Sequence, residues 1–230
     1  PYLELLSWIA DQDFRKLCKQ SLQAEELFRR IGITFNVYGD NDGEERIIPF
    51  DLFPRIISAH EWSRLERGII QRVAAINAFL SDIYHRQEIV RSGLIPSDLI
   101  NRNDAFLPQM CGFTPPGNIY THIVGVDIVR TGPDEFFVLE DNARVPSGVS
   151  YMIENRATML QMFPELFANH RIRTVSDYPK QLFQSLTESA RSFIDDPNVA
   201  VLTPGIFNSA YYEHSFLADE MGVDLLEGSD

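Results

Sequence analysis

Apolar residues recur at helical spacing from Asp13 to Arg30, at Phe14, Leu17, Leu22 and Leu27, and the stretch stops at Gly32. This predicts one amphipathic helix near the start. ITFNVY (33 to 38), DNDGEE and RIIPFDLFPRII then predict a strand, a polar turn and a second extended arm that Pro49 and Pro54 keep irregular. From His60 to Ser92 the steps of three and four through Trp62, Leu65, Ile69, Val73, Ile76, Phe79, Leu80 and Ile83, ending at Gly93, predict one long core helix. Residues 95 to 118 are rich in Pro, Asn and Gly and read as an ordered connection. NIYTHIVGVDIVR (118 to 130), TGPDE and FFVLEDN (136 to 142) form a second strand, turn and strand. A helix from about Tyr151, bent or stopped at Pro164, and another from Tyr178 to Ile194 follow. After a DDPN linker, VAVLTPG, AYYEHSFLADEMG and VDLLEG give the β-α-β order of a parallel sheet. The fold class is therefore mixed, α/β (α+β), with no internal repeat and no low-complexity tract.

A chain of 230 residues with 44% hydrophobic content can bury a core in one or two domains. Its 20 basic and 33 acidic residues leave a net charge of -13, which repels phosphate backbones and argues against a nucleic-acid surface. A cationic or metal-linked partner fits better. Cys18 and Cys111 have no short-spaced partner, so they read as ordinary thiols in a reducing compartment. The apolar run Tyr2 to Ala10 is interrupted by Glu4 and lacks a basic leader, which fits neither a signal peptide nor a spanning helix; a cytoplasmic protein with no membrane partner is expected. A start on Pro1 and an end at Asp230, directly after VDLLEG, lead us to expect a piece of a longer parent chain.

The second hairpin carries the most chemistry. Asp127 lies between Val126 and Ile128 in a run that reads as buried strand, where an unpaired carboxylate is costly and a nearby cation is expected. If residue 131 faces 136, antiparallel pairing sets Asp127 opposite Glu140, with β-carbons roughly 4.5 to 5.5 Å apart. Two carboxylates that close share a proton or hold a cation. Glu140 and Asn142 are two apart and project from one face, so Asp127, Glu140 and Asn142 form an all-oxygen set suited to a hard cation such as magnesium, or else a solvated acidic strand end. Arg130, Arg144 and Arg156 flank these acids and fit either a triphosphate or local salt bridges. Ser147 and Gly148 follow Pro146 in a tight turn whose backbone donors suit an anion or a substrate carboxylate, or which is a plain loop.

VLEDNARVPSGVSYMIENR (138 to 156) resembles the signature of the circularly permuted ATP-grasp proteins, and so do IPFDLFPRIIS (48 to 58), EWSRLERGIIQRVAAINAFLSDIY (61 to 84) and LTPGIFNSAYYEHSFLADEMGVDLLEG (202 to 228). The pattern also resembles glutathionylspermidine synthetase-like amide ligases. The resemblance implies an ATP-dependent carboxylate-amine ligase working through an acyl-phosphate, with ATP and Mg2+ as cofactors and small-molecule or peptide acids and amines as substrates. It assigns Asp127, Glu140 and Asn142 to magnesium, and Arg144, with Arg130 as second candidate, to the transferring phosphoryl group. Many members carry an arginine two residues before the strand aspartate, where this chain has Gly125. Ser147, Gly148, Arg156 and Arg55 would border the acyl substrate, and Asn208 would shape the acceptor site or cap its helix. The implied organisation is a metal-binding ATP-grasp subdomain with antiparallel hairpins over 1–195, then the start of a Rossmann-like pre-ATP-grasp domain over 196–230. TPGIFNS is not a phosphate loop, since it lacks the glycine spacing and the Lys-Ser/Thr end.

Two other readings stay open at this point. A non-catalytic binding or scaffold fragment would keep the fold without the nucleotide clamp, and a carboxylate-pair hydrolase would use Asp127 and Glu140 as acid and base.

Overall fold

A computed structural model describes residues 2–36, 45–168 and 170–228, the side chains of 34–36 and 45–47 excepted. The chain runs through α1 (Tyr2–Ala10), α2 (Phe14–Ile31), β1 (Thr34–Asn36), β2 (Glu45–Ile47), α3 (Ala59–Ile83), α4 (Glu88–Arg91), α5 (Ser97–Asn101), β3 (Gly125–Gly132), β4 (Glu135–Asn142), α6 (Val149–Met162), α7 (Pro164–Ala168), α8 (Tyr178–Ala190), β5 (Ala200–Thr203), α9 (Tyr211–Met221) and β6 (Asp224–Glu227). Helix α1 fills the stretch that the sequence had only excluded as a leader or a span. No described helix is long and apolar enough to cross a membrane.

The described residues gather into two compact units, Pro1–Ile56 with Ser147–Asp230, and Ile57–Pro146. The boundary expected near residue 195 lies inside the first of them.

In the first unit, the Asp13 carboxylate caps α2 by accepting from the Arg15 amide, and Gly32 closes it in the left-handed conformation. β1 and β2 pair antiparallel as expected; Val37, Tyr38 and residues 40–44 of the predicted hairpin lie outside the described residues. Leu17, Met159 and Phe163 form a buried cluster joined by Trp8, Phe50, Leu52 and Phe167, with Trp8 meeting Phe163 edge-on at 5.2 Å. The expected β-α-β unit is present: β5 and β6 are parallel, and α9 packs on both of them as well as on α6 and α8. Asn208 accepts from the Ala210 amide at 2.9 Å and so shapes the turn that leads into α9.

In the second unit the long helix ends at Ile83, nine residues earlier than expected. Its N-terminus is a full capping box, with Ser58 and Glu61 each accepting from the other's backbone. At the other end Asp82 accepts from the amides of Glu88 and Ile89 at 2.8 and 2.9 Å, and Gln87 takes a left-handed φ of 52°. Those bonds cap α4 and make the apolar pattern continue across a break. Ile83, Tyr84 and Ile100 form this unit's core, with Tyr84 stacked between Phe106 and Tyr120 at 5.1 and 6.0 Å.

Candidate functional site

Strands β3 and β4 pair antiparallel with Asp127 opposite Glu140, Val126 opposite Asp141 and Gly125 opposite Asn142. The register is not uniform, however. Phe136 faces Arg130 instead of residue 131, because Thr131 on β3 and Leu139 on β4 are each extra residues in the ladder. The two shifts cancel, and the expected acid pair results. The turn itself is short: Gly132 pairs with Glu135, and Asp134 takes a φ of 57° that aspartate tolerates.

Asp127, Glu140 and Asn142 are all exposed, so the desolvation expected for Asp127 does not arise. What remains is the placement of two carboxylates opposite each other in the ladder. The Asn142 side-chain amide donates to a Glu140 carboxylate oxygen at 3.2 Å, which leaves the amide oxygen free to point elsewhere. Among the described residues no three His, Cys, Asp or Glu side chains converge on a metal position; this set is two carboxylates and one amide. Gly125 sits tightly: a β-carbon there would meet Pro146 Cβ at 3.2 Å and Asn142 Cβ at 3.5 Å. Any larger side chain there would have to push Pro146 aside by a few tenths of an ångström.

The opposite face of the hairpin is tied to α3. Arg130 pairs with the buried Glu61 carboxylate. The two Ser58 hydrogen bonds hold the Glu61 carboxyl below its ordinary value, and Arg130 adds to the effect. Arg72 grips both oxygens of Asp141, at 2.7 and 2.8 Å from Nε and 2.6 Å from Nη2, and this bond keeps the Asp141 carboxyl low. At the turn, Arg64 donates to the Asp134 carbonyl at 2.8 Å. At the open end, Asn77 Oδ1 accepts from the amides of Tyr120 and Thr121 at 2.7 and 3.2 Å. Arg144 is exposed and has no hydrogen-bond or ion-pair partner among the described residues. Of the two candidate phosphoryl arginines, one is thus committed to a glutamate and the other is open.

The remaining candidates belong to the first unit. Gly148, at a φ of 105° that favours glycine, begins α6. Its amide donates to both oxygens of the buried Glu213 at 2.8 Å, and the Ser150 amide and hydroxyl donate to the same carboxylate at 2.9 and 2.6 Å. The Gly148 amide of this turn is thus taken up by the chain's own Glu213, at the N-terminus of α6. Burial first and the Glu213 charge second raise the Tyr151 and Tyr178 hydroxyls. Ser147 is exposed. Arg156 donates to the Arg173 carbonyl at 2.8 Å, lies over Phe167, and is lowered by burial. Arg55 is exposed, 3.8 Å from Asp51.

Sequence reasoning missed Glu61, Arg72, Asp141 and Glu213. Only Glu61 had a local signal, the Ser-x-x-Glu spacing of a capping box from Ser58.

Residues 54–230 match a family described as a circularly permuted ATP-grasp. An uncharacterized protein of Synechocystis sp. is 46% identical over 226 residues, which are 98% of this chain and 47% of that protein. One from Mycobacterium tuberculosis is 48% identical over 230 residues, 100% of this chain and 41% of its own length. A Frankia casuarinae protein named as a putative glutamate--cysteine ligase is 42% identical over 201 residues, 86% of this chain and 23% of its length. The chain spans less than half the length of each.

Proposed function

Because the chain belongs to the circularly permuted ATP-grasp family, we propose that it carries the metal-bearing part of an ATP- and magnesium-dependent carboxylate-amine ligase. The observation that carries this reading is the register that sets Asp127 opposite Glu140, two residues from Asn142, on one exposed face. The donor set is all oxygen, as a hard cation requires. Bound magnesium supplies charge neutralisation for the nucleotide phosphates.

In the proposed reaction a carboxylate oxygen attacks the γ-phosphorus and ADP leaves. The amine nitrogen then attacks the acyl carbon, phosphate departs and the nitrogen loses a proton. Phosphoryl transfer of this kind needs positioning and electrostatic support more than covalent help. Asp127, Glu140 and Asn142 hold the metal; Arg144, exposed and uncommitted, takes the remaining negative charge of the phosphoryl group. Ser147, Gly148, Arg156, Arg55 and Asn208 border the acid and amine substrates in this reading. Gly148 contributes shape, since its amide already serves Glu213. The unit formed by β5, α9 and β6 begins the Rossmann-like domain that follows. The relatives named as glutamate--cysteine ligases support the reaction class.

The test is ADP release by a polypeptide of the relatives' full length, given ATP, magnesium, and candidate acids and amines. Glu140→Gln should abolish magnesium-dependent ADP release while leaving the circular dichroism spectrum unchanged. Undiminished turnover in that variant would move the metal away from the hairpin.

A further inference from the structure

Helix α3 runs along the hairpin like a ruler. His60, Glu61 and Arg64 meet its turn end, Arg72 meets β4 beside the candidate ligands, and Asn77 fixes the backbone entering β3. Glu61 and Arg72 are eleven residues apart, three helical turns and about 16 Å, on one helix face. Their partners on the hairpin, Arg130 and Asp141, are separated by four residue levels of the ladder, because Asp141 lies opposite Val126. That is about 13 Å, within the reach of two arginine side chains.

Strand parity divides the hairpin's two faces. Asp141 stands between Glu140 and Asn142 and so points to the side opposite both, and Arg130 is three residues from Asp127 and likewise faces away from it. Each strand that carries a candidate ligand is therefore held from behind by one ion pair with α3. A two-stranded hairpin is only marginally stable alone in water, and this one leaves Phe137 and Leu139 60% and 70% exposed. What fixes its ligand face is therefore anchored largely through α3. The Arg72 pair is bidentate, with the Asp141 side chain 18% exposed.

We propose that Arg72 is a positioning residue for the metal set: through Asp141 it fixes the strand segment that presents Glu140 and Asn142, with the Glu61 and Arg130 pair doing the same for the strand of Asp127. The proposal rests on the reading of Asp127, Glu140 and Asn142 as magnesium ligands. Arg72 contacts neither metal nor nucleotide; its effect passes through β4. Supporting contacts behind metal ligands commonly change metal affinity by about 10- to 100-fold when removed.

The experiment measures the magnesium concentration for half-maximal ADP release at saturating ATP, in a polypeptide of the relatives' full length. Wild type is compared with Arg72→Met, Arg72→Lys, Arg64→Met and Glu140→Gln, with thermal unfolding read in parallel. Arg72→Met should raise the magnesium requirement about tenfold while keeping most of the turnover at saturating magnesium. Arg72→Lys, which keeps the charge but not the fork, should fall between the two. If Arg72→Met does not fold, the lysine variant carries the test. Arg64→Met removes a tie at the turn end, the hydrogen bond to the Asp134 carbonyl, and should leave the magnesium requirement unchanged. An unchanged requirement in both Arg72 variants, with Glu140→Gln still defective, would overturn the positioning role and leave the metal assignment standing. Equal shifts in Arg64→Met and Arg72→Met would also overturn it, since the effect would then be general loosening. An unaffected Glu140→Gln variant would instead remove the metal assignment itself.

Discussion

Glu213 is the buried acid whose removal should be felt most. Its side chain is in a residue 4% exposed, and its carboxylate satisfies the Gly148 amide, the Ser150 amide and the Ser150 hydroxyl. Hydrogen bonds to a charged group contribute about 1.5–3 kcal/mol each, so three donors give a simple sum of about 4.5–9 kcal/mol. Water entering the space left by the side chain recovers part of that. Leaving a buried donor unsatisfied costs about 1–3 kcal/mol, so with three donors and partial rehydration we take about 3–5 kcal/mol for Glu213→Ala. Glu213→Gln keeps the shape but turns an NH2 group toward one of the donors, for a loss of about 1–3 kcal/mol. Urea unfolding reads both: with a slope of about 2–3 kcal/mol per molar, the alanine variant should lower the midpoint by at least about 1 M without changing the slope. The cause is the first turn of α6 left without an acceptor for its buried donors. A midpoint drop under about 0.2 M in Glu213→Ala would show that the network does not hold α6 and refute the reasoning.

Three further outcomes follow from the same geometry. The Glu61 carboxyl is held below its ordinary value, so the stability it contributes is complete above about pH 4.3 and is lost as pH falls through the lower folded-state value. Wild type should accordingly unfold at higher urea than Glu61→Gln at pH 7, and the gap should narrow toward pH 3; a gap of the same size at both would contradict this. Phe163, 1% exposed between Trp8 and the Leu17 and Met159 side chains, should cost about 3–5 kcal/mol as Phe163→Ala, read by thermal unfolding. Gly148→Ala places a β-carbon in open space but at a φ of 105°, so it should cost about 1–3 kcal/mol through backbone strain alone, and a neutral result would argue against that conformation.

Local rules made a good part of this molecule readable. The acid pair of Asp127 and Glu140 followed from strand parity and a guessed turn, and it holds because the bulges at Thr131 and Leu139 compensate each other. Neither bulge leaves a mark in the hydrophobic pattern, so the pairing of Arg130 with Phe136 could not be read. The β5, α9 and β6 order was legible because strand and helix periods alternate over short lengths. The break after Ile83 was not, since the apolar spacing continues through Ile89 and Val90 while Asp82 caps the next helix with its side chain. Long-range polar pairs were invisible for a different reason. Arg72 and Asp141 are 69 positions apart, and Glu213 lies 65 and 63 positions from Gly148 and Ser150. A lone charged residue on a helix gives no sign of which distant backbone it will meet. The apolar run around Asp127 reads as a buried strand, whereas Asp127, Glu140 and Asn142 are exposed, so burial of this face is not legible from the pattern.

The central claim is that the face bearing Asp127, Glu140 and Asn142 holds magnesium for ATP. Calorimetric titration of ATP into a polypeptide of the relatives' full length, with and without millimolar magnesium, tests it most directly. Binding should require magnesium, and Asp127→Asn with Glu140→Gln should lose that dependence while remaining folded. Absence of ATP binding in wild type at millimolar magnesium, or unchanged magnesium-dependent binding in the double variant, would contradict the account.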